Sequence, residues 1–473
     1  MFVFLAVMAA KAQTHFERYP CVHGIQNHAS TRLPVPSQDW DASRTYRQAV
    51  ILVQYSDMAF SMDDPKSYYH DLLNVSTSKT RGGAGCAADY FRDQSNGLFN
   101  LQFDVIGPVK VSQTAQINST NTNYAERACK EAVKKAVDSL HVDFSVYDWN
   151  GNNDVEQIVF IVAGYCANGG NSSYSKYVWP NTGMLFGYIT ETLSYSQMSV
   201  TAEKFFNDIP CGIGTICHEY SHCLGLPDLF PTSDDTGYSV VDEWDLMDGG
   251  NYTSWGWCPP NYSALEKYLL GWLSFDEITS PVKVSGMKTV ADGGKAYKMV
   301  KEGDTYYVLE NRQRKGWDKY LPGEGLLITY VNYNKSKWKN NNVNYVRPFS
   351  YEFVHADGMD YDAWDAYIKA NGLTAYVDTE NRLWRRHLST SSYPLLTDTL
   401  EVHECNELPM PLTDIQLSDD GRISFEVVAS GIRAIGIDDT DGGVWYDLQG
   451  RRLTSKPGRK GIYIHNHKKE VIR

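Results

Sequence analysis

The chain has 473 residues, of which 44 are Lys or Arg and 57 are Asp or Glu, for a formal net charge of −13. Hydrophobic residues make up 42%, ample for packed cores, which excludes disorder as the main state. The acidic balance argues against nucleic acid as a partner, and no apolar run reaches the roughly 18–20 residues of a membrane-spanning helix.

The first residues, MFVFLAVMAAKAQ, form a short apolar run followed by Ala10-Lys11-Ala12, a small-x-small cleavage signature. Residues 1–12 are therefore expected to be a signal peptide, with a buried N-terminal strand as the other reading. Residues 13–45 are polar, are broken by Pro20, Pro34 and Pro36, and read as a leader or pro-segment. QAVILVQYSD, residues 48–57, is a continuous apolar run that predicts a buried strand. DPKSYYHDLLN, residues 64–74, has helical spacing with a proline at its start. A helix through Phe91, a turn at Asn96-Gly97 and a strand from Leu98 are expected next. Residues 123–140 form a strongly amphipathic helix, and VEQIVFIVAG, residues 155–164, is a second buried strand. This alternation predicts a mixed α/β unit.

Residues 165–208 are rich in Tyr, Ser and Asn and are assigned to the wall of a cleft by exclusion. Helices are expected at 210–226 and at 262–273, the latter ending near Gly271. From about residue 280 short alternating segments split by Gly, Asn and Asp turns predict a β-rich region, with one helical insertion at 362–373. GIDDTDGG, residues 436–443, reads as a linker to a tail with three strand-like runs. The expected divisions are 1–12, 13–45, a catalytic domain at 46–275, a β-rich domain at 276–430 and a tail at 431–473.

Residues 218–228 read HEYSHCLGLPD. His218 and His222 are four apart, so they share one helix face and can bind one ion. Neutral imidazoles suit zinc. Glu219 sits beside the first ligand, where it can take a proton from a zinc-bound water as that water attacks a carbonyl. The same carboxyl can then deliver the proton to the leaving amine. Gly225 is suited to a helix C′ position and Pro227 stops the helix, which swings Asp228 back toward the ion as third ligand. Two His and one carboxylate leave a fourth position open, as a catalytic zinc site requires. An ordinary amphipathic helix with two exposed His is the bland alternative. Met247, in WDLMDGG, fits a Met-turn beneath such a site, though a Met there is equally a core residue. Tyr252 is a candidate for stabilising the oxyanion, or a packing Tyr among 32. DWNGNNDVE places Asp148, Asn150, Asn152, Asp154 and Glu156 at alternating positions. Such a loop either surrounds calcium with oxygens or closes as an Asx-rich turn.

HEYSHCLGLPD followed by WDLMDGG resembles the immune-inhibitor-A-like family of secreted bacterial zinc metalloproteases, and more broadly the metzincin pattern. The likeness extends over roughly residues 46–430 and is densest at 210–273 and 306–331. It implies an α+β chain: a metzincin-like protease domain of mixed sheet plus helices, then a β-rich domain and a small β tail. It also implies zinc at His218, His222 and Asp228, and a protein or peptide substrate. A thermolysin-like arrangement would instead take Glu243 or Glu266 as third ligand. The family's Ile-Trp-x-His before the zinc helix is replaced here by YVWPN, with Pro180 and Asn181. The tail pattern YDLQGRR…KGIYI resembles the sorting domains of Bacteroidetes proteins exported by type IX secretion. That implies a secreted or cell-surface protein and the type IX machinery as a partner.

Nine cysteines, at odd count, leave one over after any disulfide set. Cys211 and Cys258 are plausible partners, Cys217 and Cys223 read as buried residues or disulfide halves, and Cys21 is a candidate zymogen switch. The leading expectation is a secreted zinc endopeptidase working through Glu219. The alternatives are a zinc hydrolase of another amide or ester, and a surface adhesin or carbohydrate-binding protein on a protease-like scaffold.

Overall fold

A computed structural model describes residues 40–429 apart from 76–80, 118–123, 169–171, 206–207, 234–238, 373–386 and 399, together with four short strands in the tail. The expected signal peptide, most of the leader, Cys21 and the 436–443 linker lie outside the described residues.

In chain order the first part runs β1 (Thr45–Gln54), α1 (Pro65–Asn74), α2 (Ala87–Gln94), β2 (Asn100–Lys110), α3 (Tyr124–Asp138), β3 (Asp154–Val155), β4 (Ile158–Tyr165), β5 (Asn181–Tyr188), β6 (Ser194–Lys204), α4 (Ile213–Leu224) and α5 (Ala264–Leu269). The strands form one sheet in the order β2-β1-β4-β6-β3, all parallel, with β5 antiparallel to β6. A parallel sheet covered on both faces needs strands that are apolar on both faces. On β1, Val50 and Leu52 enter the core with α1, α2, α4 and α5, while Ala49, Ile51 and Val53 enter the core under α3. That division is why residues 48–57 show no alternation.

β5 and β6 occupy the stretch assigned above to a cleft wall without elements. Polar residues disguise them. On β6, Met198, Val200 and Ala202 enter the α3 core, while the intervening Ser199, Thr201 and Glu203 are buried as well. Glu203 accepts backbone hydrogen bonds from Ser61 and Gly164, which satisfies a carboxylate inside the protein. A buried polar strand of this kind carries no apolar period for a sequence reading to find.

The second part runs β7 (Asp276–Glu277), β8 (Val282–Met287), β9 (Tyr297–Glu302), β10 (Thr305–Arg312), β11 (Gly325–Asn332), α6 (Lys335–Lys339), β12 (Tyr351–Phe353), α7 (Tyr361–Ala370), β13 (Leu395–Leu396), β14 (Glu401–Val402), β15 (Leu412–Leu417) and β16 (Ile423–Val427). Its sheets are β12-β11-β10-β9-β7, β15-β16-β8 and the hairpin β13-β14. The expected β-rich region with a helical insertion is present. The mixed architecture, helices on a largely parallel sheet followed by antiparallel sheets, is the α+β class expected.

The two parts share one apolar core. A single cluster runs from Tyr46 through Ile216 and Met247 to Val308, Leu327, Trp338, Phe353 and Leu388. Buried polar bonds cross the same boundary. Arg312 grips Asp318 through two bonds of 2.7 and 2.8 Å, and Asp318 accepts from the Asn261 amide at 2.8 Å. Tyr351 donates to Asp245 at 3.1 Å. The compact unit ends at Val428, and Ala429–Arg473 form a second unit. Within that second unit β17 (Trp445–Tyr446), β18 (Arg452–Leu453), β19 (Gly461–His465) and β20 (Lys468–Ile472) form an antiparallel sheet in the order β18-β17-β19-β20.

Candidate metal centre

α4 carries the motif, and its ends explain its position. Gly212 begins it without a side-chain cap, and the Gly214 amide donates to Gly256 at 2.8 Å. A Cβ on Gly214 would stand 2.0 Å from the Asn251 carbonyl oxygen, so only glycine lets helix and loop backbones touch. At the other end Gly225 adopts φ 106°, and its amide and that of Leu226 bond back to His222 and Ser221. All residues of α4 are buried, so an exposed amphipathic helix is overturned: a core closes around both imidazoles.

Three donor atoms converge after the turn. The Nε2 atoms of His218 and His222 each lie 3.2 Å from Asp228 Oδ1. The rings stand edge to face, 4.8 Å between centroids. His218 Nδ1 is 2.8 Å from the Leu246 carbonyl and His222 Nδ1 is 2.7 Å from the Leu226 carbonyl. A carbonyl only accepts, so each Nδ1 carries a proton and donates, which turns each Nε2 toward Asp228 with a lone pair once the ring is neutral. His218 Nε2 and Asp228 Oδ1 are buried and make no hydrogen bond. Buried polar atoms left this way are costly, and an ion bound by all three would satisfy them. Two imidazoles and a carboxylate are a donor set that fits zinc. Without an ion, burial works against charge on His222, but the Asp228 carboxylate prevails and raises it to about 9. Burial likewise opposes charge on Asp228, and the two imidazoles hold its carboxyl far below the usual range.

Each member is oriented by a residue the sequence reading did not single out. Asn341, just after α6, donates to Asp228 Oδ2 at 2.6 Å and accepts the Asp228 amide at 2.6 Å. That leaves Oδ1 for the two imidazoles. Thr182 on β5 donates to Glu219, at 2.6 Å to its carbonyl and 3.0 Å to Oε2. The hydroxyl thus joins the acid to the edge strand directly after Pro180 and Asn181. Met247 is fully buried in the main core, and its carbonyl accepts from Leu229 at 2.8 Å. The turn before it is tied by Asp245 Oδ1, which accepts the Met247 amide. Met247 itself carried the sequence signal, but the carbonyl that fixes His218 belongs to Leu246.

Other candidates are placed elsewhere. Glu266 caps α5 through Ser263, and Glu243 is buried in a short 3-10 turn; the carboxylate beside the imidazoles is that of Asp228. Tyr252 is buried in the α3-side core, and its hydroxyl accepts from Asn168 at 2.8 Å. The loop of residues 148–156 closes on itself. Asp148 accepts amides of Gly151, Asn152 and Asn153; Asn150 accepts Asn152; Asn152 accepts Asp154. Asp154 turns to the hydroxyls of Ser194 and Ser196, and Glu156 accepts the Trp149 amide. These bonds close an Asx-rich turn, most of whose oxygens keep a further lone pair. Cys211 lies beside Cys166, sulfurs 3.7 Å apart, whereas Cys258 faces the Gly316 and Trp317 carbonyls, which corrects the expected pairing of 211 with 258. All the described cysteines are buried free thiols, including Cys217 and Cys223.

Residues 41–270 match the catalytic domain of the immune inhibitor A peptidase M6 family. The chain is also similar to the pre-pro-metalloprotease PrtV of Vibrio cholerae serotype O1, in strain M66-2 and in strain El Tor Inaba N16961. In both cases identity is 24% over 269 residues, covering 50% of this chain and 28% of the relative. The chain therefore spans under a third of the length of the curated relatives it matches. The matched segment contains α4, Asp228 and Met247. Among the described residues no helix is long and apolar enough to cross a membrane.

Proposed function

We propose that the chain is a secreted, metzincin-like zinc endopeptidase that hydrolyses peptide bonds in proteins or peptides. The observation that carries the reading is the convergence of His218 Nε2, His222 Nε2 and Asp228 Oδ1, with both Nδ1 protons spent on backbone carbonyls. Zinc, when bound there, supplies Lewis acidity toward a carbonyl oxygen and makes water a nucleophile at neutral pH. The remaining chemistry belongs to the chain. Glu219 follows His218 on the same helix, buried and held by Thr182. Its carboxylate takes the proton of the attacking water and returns it to the departing amine, which needs a carboxylate that does not wander. Asp228, fixed by Asn341, keeps its carboxylate turned to the two rings. Tyr252, whose hydroxyl oxygen accepts from Asn168, is proposed as an aid to the oxyanion. Asp148, Asn150, Asn152, Asp154 and Glu156 are proposed as a calcium loop, since an oxygen that accepts one amide or hydroxyl keeps a second lone pair for a hard cation.

The test is a casein or mixed-peptide digest with and without a chelator, beside Glu219→Gln. Cleavage should stop with the chelator and fall by about 10²–10⁴-fold in the variant, with zinc content unchanged. Chelator-insensitive cleavage, or full activity of Glu219→Gln, would overturn the mechanism. Export is proposed to follow the signal peptide and the tail through type IX machinery. From Arg451 onward the tail has eight basic residues and one acidic residue, Glu470, opposite in sign to the rest of the chain. Deleting residues 432–473 should hold the protein in the periplasm of a Bacteroidetes-like host, and undiminished appearance outside the cell would reject this route.

A further inference from the structure

Well away in sequence from α4, the β-rich part holds a second cluster with the same donor chemistry. One ring nitrogen each from His355 and His387 and a carboxylate oxygen of Asp357 all lie within 4.8 Å of one another. Both histidines are buried, and Asp357 is partly so. The surroundings hold the rings in place. His387 stacks on Trp364 of α7, rings nearly parallel and 4.3 Å apart, and on His355, 4.6 Å away. His355 Nδ1 meets the Ser391 hydroxyl at 2.9 Å, which leaves its other ring nitrogen to a different partner. Asp357 accepts the Thr390 hydroxyl at 2.6 Å and the Met359 amide at 2.9 Å.

Two imidazoles and one carboxylate are thus gathered beside the Trp364 ring. That combination selects borderline divalent ions of the zinc type over calcium or magnesium, which prefer all-oxygen shells.

We propose that His355, Asp357 and His387 form a second, structural site for zinc or a similar divalent ion. The ion would join the exit of β12 to the segment Leu388–Tyr393, which pairs with β11 at Leu326 and Tyr393. The same segment holds the catalytic side, because the Leu388 carbonyl accepts the indole N–H of Trp244 at 3.0 Å, immediately before the Asp245–Met247 turn. The site would thus stiffen the support of the turn whose Leu246 carbonyl orients His218. The proposal does not depend on peptidase activity.

The test loads the full chain with Zn²⁺ alone, removes free ion by gel filtration and measures zinc per chain by mass spectrometry. Two equivalents are expected in the wild type, and one in His355→Gln/His387→Gln. One is also expected in His218→Gln/His222→Gln, which leaves the second cluster intact. In that last chain Co²⁺ should bind at one equivalent with visible d–d absorption, so the reading survives even if the His355 variant fails to fold. A single equivalent in the wild type, two in the His355/His387 variant, or none in the His218/His222 variant would each overturn it.

Discussion

His218 depends for its chemistry on a backbone carbonyl 28 residues away, that of Leu246. The carbonyl fixes the tautomer, and so the sharing of roles between the two ring nitrogens is built into the fold rather than induced by the ion. Asn341 does the same for Asp228. Asn341→Ala should weaken zinc binding by roughly 10–100-fold in a chelator competition, because the freed carboxylate can rotate away from the rings. An unchanged affinity would show that the bond is incidental. The metal-free site also binds a proton. His222, raised to about 9 from an ordinary 6.5, contributes stability that is fully present below about pH 6.5 and is lost as pH rises through about 9. Asp228, held low, contributes above its ordinary range and loses that contribution only in strong acid. Between those limits the ion must displace the His222 proton. Calorimetric zinc titrations at pH 7 in two buffers of different ionisation heat should therefore report about one proton released per ion.

α4 is fixed by what its glycines permit. Gly214 allows the first turn to lie directly on the 251–257 loop, and Gly225 turns the chain so that Asp228 returns to the rings. Gly214→Ala should destabilise the fold by about 1–3 kcal/mol through overpacking, read as a lower denaturant midpoint. Gly225→Ala should cost about 1–2 kcal/mol by placing a Cβ in the left-handed region, with zinc affinity falling as well because Asp228 shifts. An α4 loosened at Gly214 but still aimed by Gly225 would keep its affinity, which separates the two effects. β5 contributes an element-level constraint of another kind: its Thr182 reaches Glu219, so the edge strand sets the position of the acid.

For the whole molecule, the segment matched by the family domain ends at residue 270, but the core does not. Arg312 and Asp318 reach back to Asn261, the Ala264 amide bonds Glu310 at 3.2 Å, and Tyr351 bonds Asp245 beneath the Met247 turn. Removing residues 276–428 would expose the apolar faces of α4, α5 and the turn, and would strip buried groups of their partners. A chain ending at residue 275 should show no cooperative thermal transition and no zinc site, since Asn341 is gone too. A sharp, reversible melt of that fragment would refute the dependence. The catalytic and β-rich divisions at 46–275 and 276–430 are thus proposed as sequence units that fold together.

By itself the sequence determined the elements whose signals are local. HEYSHCLGLPD places two imidazoles on one face because helix periodicity is set by neighbouring residues, and Gly225-Leu226-Pro227 turns the chain within one step of the ligand. The buried strands β1 and β4 were legible because a two-sided core leaves an uninterrupted apolar run. Tertiary structure alone decided the rest. β5 and β6 carry buried Ser, Thr, Asn and Glu, of which Thr182 and Glu203 bond to distant segments, so no period announces them. Thr182 meets Glu219 across 37 residues, and Asn341 meets Asp228 across 113. The Asx oxygens of residues 148–156 accept amides of their own loop, bonds that spacing in the sequence does not announce. His355 and His387 became a pair only when β12 and the Leu388–Tyr393 segment were brought together. A hydrogen bond or a ligand cluster between distant residues has no spacing rule, because the fold, and not the chain, sets the distance.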